Sequence, residues 1–267
     1  MFCALSLADE LELAAGEPGI RLEVSGAALG PPEHNLVYRA AAAFHEAAGL
    51  TPAVRIRLVK HVPAGAGLGG GSSDAAATLR ALNEAHGNPL DAATLLRLGA
   101  ALGSDVPFFL SGAPFALVWG RGERILPLRP PPSAPVLLAV PPFAIATADA
   151  YRALDHRRGA PGPGSPPAPR AIRLEDLASW RGLADSAVND FEPVLFPRHP
   201  ELADLRDALA RAGARPARLT GSGSAVFGIF ETATQRGAAA AEIARALPHV
   251  RLIESLTAAA PPPTALG

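Results

Sequence analysis

Eleven residues carry the clearest chemistry in the chain: Pro63-Ala64-Gly65-Ala66-Gly67-Leu68-Gly69-Gly70-Gly71-Ser72-Ser73. Glycines let a backbone take positive φ and approach a ligand closely, so that consecutive N–H groups converge on an anion. Ser72 and Ser73 add hydroxyls that can reach a phosphate oxygen or a metal. The segment reads as a phosphate cradle, although it lacks the Gly-Lys-Ser/Thr ending of a Walker loop and does not match a dinucleotide fingerprint. Two further candidates are Asp105, a carboxylate able to accept a proton, and the Gly221 and Gly223 pair, where a second backbone loop can come close to a ligand. Taken alone, an Asp two residues before Pro107 reads as a turn or capping residue, and the glycine pair as a tight turn.

Position gives the cradle its meaning. Val54 to Lys60 alternates as a strand and feeds directly into the loop. Ser73 to Ala85 then reads as a helix with serine at its cap, Leu79 and Leu82 on one face and Gly87 past its end. The first turn of such a helix contributes unpaired N–H groups and the positive end of its dipole. Asp74 in that turn reads as a complement to the dipole or, alternatively, as a residue that positions a metal, and Lys60 at the strand end as a solvated lysine.

Around this centre the pattern predicts two strands over Cys3–Leu13 and Ile20–Val24, a helix over Asn35–Ala48, a helix over Ala92–Leu102 after a capping Asp91, and a hairpin over Phe115–Leu128 turning at Gly120-Arg121-Gly122. Pro130, Pro131, Pro132 and Pro135 can continue neither a helix nor a central strand, so a boundary is placed there: domains over 1–130 and 136–258, and a tail over 259–267. The second domain is predicted to hold a strand over Val136–Val140, a short helix over Thr147–Leu154 and a surface loop of Gly, Pro, Ser and Ala over Gly159–Pro169. Helices over Leu202–Ala212 and Arg236–Leu247 and strands over Ala217–Thr220, Ala225–Ile229 and Val250–Ser255 complete it. Tyr151, alone on its short helix, reads as a core residue.

Composition narrows the function classes. With 267 residues of which 49% are hydrophobic, the chain can bury a full core in one or two domains. Its 24 basic and 25 acidic residues leave no global field to gather nucleic acid or an anionic membrane, so neither is an expected partner. No run approaches the roughly 20 apolar residues of a membrane span, and no signal peptide is recognisable, which predicts a cytoplasmic protein. The single Cys3 allows neither an internal disulfide nor a thiolate metal cluster.

Gly67-Leu68-Gly69-Gly70-Gly71-Ser72-Ser73-Asp74-Ala75-Ala76 resembles the central motif of the GHMP kinases. The triple glycine is closest to the branch that acts on a cytidine diphosphate derivative of methylerythritol in the non-mevalonate isoprenoid route. Leu102–Phe109, Asn189–Glu192 and Arg218–Phe227 resemble further motifs of that branch, in the same order. The resemblance implies an α+β, two-domain architecture, with an N-terminal domain like ribosomal protein S5 domain 2 and a ferredoxin-like C-terminal domain. It implies ATP-dependent phosphorylation of the 2-hydroxyl of that small-molecule substrate, with Mg2+, by a monomer or homodimer. It also implies that Asp105 accepts the hydroxyl proton, that the loop from Pro63 to Ser73 binds ATP with Lys60 and Asn35 near the base, that Thr220, Gly221, Ser222 and Gly223 lie on the phosphate side, and that Tyr151 stacks on cytosine. No residue is assigned as a metal ligand. The Pro-Ala-Lys-hydrophobe-Asn and Gly-Tyr-His motifs that open the family are not in this sequence, whose start at Met1-Phe2-Cys3 resembles the strand after them. Met1 is accordingly expected to be an internal or misassigned start. The alternatives for the chain as written are a nucleotide-binding protein of impaired catalysis and another GHMP small-molecule kinase.

Overall fold

The computed structural model describes residues 1–159 and 173–259, and divides into two compact units. The first comprises Met1–Ala64 and Gly69–Leu128, the second Gly65–Leu68 and the chain from Arg129 onward. The division falls next to the proline cluster, with the difference that four residues of the glycine loop belong to the second unit. The part of the Gly159–Pro169 loop from residue 160 and the tail from residue 260 lie outside the described residues.

In the first unit the elements are β1 (Phe2–Cys3), β2 (Glu10–Ala15), β3 (Gly19–Ser25), α1 (Leu36–Ala48), β4 (Ala53–Val59), α2 (Gly70–Ala85), α3 (Ala92–Leu102), α4 (Val106–Ser111), β5 (Phe115–Trp119) and β6 (Arg124–Pro127). β4 is the centre of a sheet ordered β2-β4-β3, antiparallel to β2 and parallel to β3. Its alternation works as the sequence suggests: Val54, Ile56 and Leu58 are buried, while Arg55 and Arg57 face out. Those three side chains meet Val37, Ala40, Ala41 and Phe44 of α1 and Ala75, Ala76, Leu79 and Leu82 of α2 in one core. β1, β5 and β6 form a smaller antiparallel sheet, with the expected hairpin between β5 and β6.

Three local expectations are corrected. The strand expected over Cys3–Leu13 is two strands belonging to different sheets, because Asp9 leaves the ladder to accept backbone N–H bonds from His61 (2.6 Å) and Val62 (2.8 Å). The helix expected from Ser73 begins at Gly70, and its N-cap is Gly69 in the left-handed region (φ 70°, ψ 13°), a conformation glycine adopts without steric cost. The short helix α4 was not expected at all; Asp105 stands at its N-cap position and Gly112 closes it in the left-handed region.

The second unit contains β7 (Pro135–Val140), α5 (Thr147–Gly159), α6 (Trp180–Ser186), α7 (Glu192–Leu195), α8 (Pro200–Arg211), β8 (Ala217–Leu219), β9 (Val226–Ile229), α9 (Ala233–Ala246) and β10 (Arg251–Leu256). The sheet order β10-β7-β9-β8, antiparallel throughout, is that of a ferredoxin-like βαββαβ unit, with α5 to α8 inserted between its first two strands. Pro135 opens β7, the position of a central strand that tolerates the missing N–H. Of the four helices in that insertion α6 and α7 were not foreseen, and α5 continues five residues past the expected end at Leu154. Leu202, Leu205 and Leu209 of α8 pack with Leu137 and Ala139 of β7 and Ile243 of α9 to form the core.

Candidate active site

The phosphate cradle of the first unit is built by α2 and its left-handed cap. Ser73 N donates to Gly69 O at 2.9 Å, the first helical bond, so the N–H groups of Gly70, Gly71 and Ser72 precede the helical ladder and have no helical partner. Glycine at 70 is also a matter of space: a Cβ there would lie 2.9 Å from Val62 Cγ1 and 3.3 Å from Lys60 Nζ. Together with the dipole of a 16-residue helix, these N–H groups form an anion site. Asn35 stands at the N-cap of α1, its side chain accepting from Val37 N at 2.9 Å.

Asp105 is brought to the same region by α4. The ring of Phe109, one turn into α4, would be 3.2 Å from a Cβ on Gly69, and a Cβ on Gly103 would be 3.8 Å from Ser72 Oγ. The Gly122 turn of the β5–β6 hairpin lies against the Ser104 backbone with no room for a side chain. The aspartate is therefore held by α2, α4 and the hairpin, yet its side chain caps no N–H of α4. Burial raises its pKa above the ordinary carboxylate value. An uncommitted carboxylate of raised basicity next to an anion site suits proton acceptance during phosphoryl transfer.

Lys60 and Asp74 differ from their sequence reading. Lys60 is not solvated: its side chain is 4% exposed, and Nζ donates to Asp74 Oδ2 at 2.7 Å and to Asp9 Oδ2. Asp74 is buried and engaged by that ammonium rather than acting only on the helix dipole. Burial raises the Asp74 carboxyl to about 6, with Lys60 opposing the rise and Asp9 adding to it. Burial pushes Asp9 upward too, but hydrogen bonds from Lys60, Val62 and His61 leave it below its ordinary value. The sequence reading missed Asp9 altogether. Its partners are 51 to 53 residues away, and no local pattern connects them.

In the second unit, Gly65–Leu68 packs with the Thr220–Gly223 turn. Ala225 N donates to Ala66 O at 3.1 Å, and Thr220 Oγ1 donates to Gly67 O. Gly67 has φ 74°, and a Cβ on it would meet Thr220 O and lie 2.8 Å from Gly223 O. Ser222 Oγ and Thr147 Oγ1 are 3.1 Å apart. The turn is held by two residues of the Asn189–Glu192 stretch: Asn189 Nδ2 donates to Leu219 O (2.9 Å) and Gly221 O (2.8 Å), and Glu192 accepts from Leu219 N (2.9 Å). Their fixing role is a second feature that sequence reading did not assign. Tyr151 is not core; it is 54% exposed, with its ring edge-on to Phe191 at 5.1 Å.

Two family models match the chain, the GHMP kinases N terminal domain over residues 35–113 and the GHMP kinases C terminal model over residues 170–249. The chain belongs to the GHMP kinases. Among relatives of this GHMP kinase, the 4-diphosphocytidyl-2-C-methyl-D-erythritol kinase of Pelotomaculum thermopropionicum is 44% identical over 229 residues, covering 85% of this chain and 78% of the relative. That of Moorella thermoacetica is 41% identical over 229 residues, 86% of this chain and 80% of the relative. A crystal structure of 4-(cytidine 5'-diphospho)-2C-methyl-D-erythritol kinase superposes with a TM-score of 0.75 at 35% identity, covering 96% of this chain and 88% of that one. A homoserine kinase from Cytophaga hutchinsonii has a TM-score of 0.68 at 19% identity over 94% of this chain and 86% of its own, a likeness of fold.

Proposed function

We propose that this kinase transfers the γ-phosphoryl group of ATP to the 2-hydroxyl of 4-diphosphocytidyl-2-C-methyl-D-erythritol. The observation that carries the reading is the placement, in one unit, of a half-buried Asp105 whose side chain caps no N–H, at the start of a helix that packs against the cap of the anion-binding helix α2. The substrate is taken from the relatives of 37 to 44% identity that bear its name.

In this reading the N–H groups of Gly70, Gly71 and Ser72 hold ATP phosphates, and the hydroxyls of Ser72 and Ser73 complete their coordination. Pro63 to Leu68 carries the chain past the nucleotide, and Asn35 lies on its base side. Asp105 takes the proton of the attacking hydroxyl, which raises the nucleophilicity of the oxygen as the bond to phosphorus forms. In the second unit, Thr220 to Gly223 is a phosphate-binding turn in its own right, and Tyr151 offers an open ring face to cytosine. Mg2+ accompanying ATP neutralises phosphate charge. Among the described residues no group of three or more His, Cys, Asp or Glu side chains can hold a metal, and Asp74 is committed to Lys60, so the fitting ligands are serine hydroxyls, water and the phosphates themselves. No helix among the described residues is long and apolar enough to cross a membrane, and we place the enzyme in the cytoplasm as a monomer or homodimer.

Incubation of the protein with ATP and the substrate, followed by phosphorus NMR of the products, tests the reading. A new phosphomonoester on the erythritol carbon chain is expected. ATP bound without turnover, or transfer to mevalonate or homoserine instead, would contradict it.

A further inference from the structure

We propose that Lys60 is a positioning residue of the phosphate loop: its ammonium, shared by Asp9 and Asp74, ties the N-terminal part of α2, just after its first turn, to the end of β4 and so fixes where the N–H groups of Gly70, Gly71 and Ser72 point. The inference rests on the reading of that turn as the ATP phosphate site.

Three chain segments meet at this one ammonium. Asp9 lies between β1 and β2, Lys60 follows β4, and Asp74 sits in the second turn of α2. The side chains are 3%, 4% and 6% exposed, so the charges have little solvent to turn to and are held by one another. Asp9 does more than pair. Its second oxygen accepts from the N–H groups of His61 and Val62, so a single carboxylate fixes both the lysine and the two residues that lead into the loop. Asp74 in turn is integral to α2, where its carbonyl accepts from Thr78 Oγ1 at 2.8 Å. The absent side chain of Gly70 leaves the gap through which the ammonium reaches the helix, since a Cβ there would lie 3.3 Å from Nζ. A lysine that instead read the nucleotide base would need an accessible ammonium, and this one is buried between two acids. Removing its charge leaves two carboxylates facing each other in a desolvated space, which is costly and is relieved by protonation of one of them or by α2 moving away from β4; in either case the ionic tie between helix and strand is lost.

The two roles separate by ligand. A positioning lysine acts on the phosphate-binding turn, so its loss affects ATP and inorganic tripolyphosphate alike; a lysine on the base affects only ligands that carry one. Calorimetric titration of the full chain and of Lys60→Met with ATP, GTP and tripolyphosphate is the experiment. We expect ATP and tripolyphosphate to weaken by the same factor, at least about tenfold, with the ATP-to-GTP ratio unchanged. A loss confined to ATP, a changed ATP-to-GTP ratio, or no loss for either ligand would overturn the proposal. If Lys60→Met does not fold, the near-isosteric Asp74→Asn is read by the same criterion: a common shift for both ligands supports the lock, and a shift in ATP alone, or none, refutes it. Binding is measured without the phosphoryl acceptor, so a wrong acceptor in the functional reading leaves this result intact.

Discussion

Replacing Gly70 or Gly71 by alanine should have opposite consequences for stability, though the two are adjacent in the same helical turn. Neither has the positive φ that would strain an alanine, so the intrinsic preference of a helix for Ala over Gly, up to about 1 kcal/mol, favours both substitutions. The surroundings differ. At Gly71 the nearest atom to a new Cβ is Leu36 Cδ1 at 3.6 Å, an ordinary contact. At Gly70 the Cβ would lie 2.9 Å from Val62 Cγ1 and 3.1 Å from Val62 Cβ, atoms of a buried, β-branched side chain that is stiff at χ1. Overpacking of that kind costs about 1–3 kcal/mol. The propensity gain cancels between the variants, so the difference between them isolates the clash: Gly70→Ala should be about 1–3 kcal/mol less stable than Gly71→Ala, which itself should match or slightly exceed the parent. Parallel urea denaturation of the three proteins measures this directly. Equal stabilities within about 0.5 kcal/mol, or Gly70→Ala the more stable, would refute the claim that Val62 packs on the first turn of α2.

Three further outcomes are expected. The acid limb of the turnover profile should lie above the range of an ordinary carboxylate, because Asp105 must be ionised to accept a proton and burial raises its pKa; turnover then falls as pH drops through that raised value, and a limb at or below the ordinary value would contradict the role. Gly67→Ala combines a strained φ with a collision against the Thr220 and Gly223 carbonyls, and should destabilise the protein by about 2 kcal/mol or more, read by thermal denaturation. Asn189→Ala removes both bonds that hold the Leu219 and Gly221 carbonyls and should destabilise the protein by about 1–3 kcal/mol in urea denaturation; stability equal to the parent's would contradict the fixing role of Asn189.

The regular elements were legible where a short-range pattern decides them. The alternation of β4, the apolar spacing of α1 and the Gly-Arg-Gly turn of the hairpin all appear in the structure as the sequence suggests. What escaped was decided by contacts distant in sequence or by elements too short to show a period. The split of the first strand is caused by Asp9 turning toward residues about fifty positions away. α4 has only six residues, and its signals are Pro107 in the first turn and Gly112 after the end, in a chain where both residue types are plentiful. The cap of α2 was placed on Ser73 because serine is the usual capping residue, whereas a run of three glycines lets the helix begin earlier on a left-handed Gly69. For the candidate site, residue types and order singled out the loop, Asp105 and the Thr220–Gly223 turn, whose roles stand as proposals. The network of Lys60, Asp9 and Asp74, and the Asn189 bonds, required the fold.

The central claim, that this chain is a kinase with Asp105 as its proton acceptor, is tested most directly by following product formation from ATP and 4-diphosphocytidyl-2-C-methyl-D-erythritol with the parent protein and Asp105→Asn, while measuring ATP affinity in both. The expected result is one phosphorylated product per ADP for the parent, a loss of about 10²–10⁴ in kcat for the variant, and ATP affinity unchanged within a factor of about three. Turnover surviving in Asp105→Asn, or lost in equal proportion with ATP binding, would contradict it.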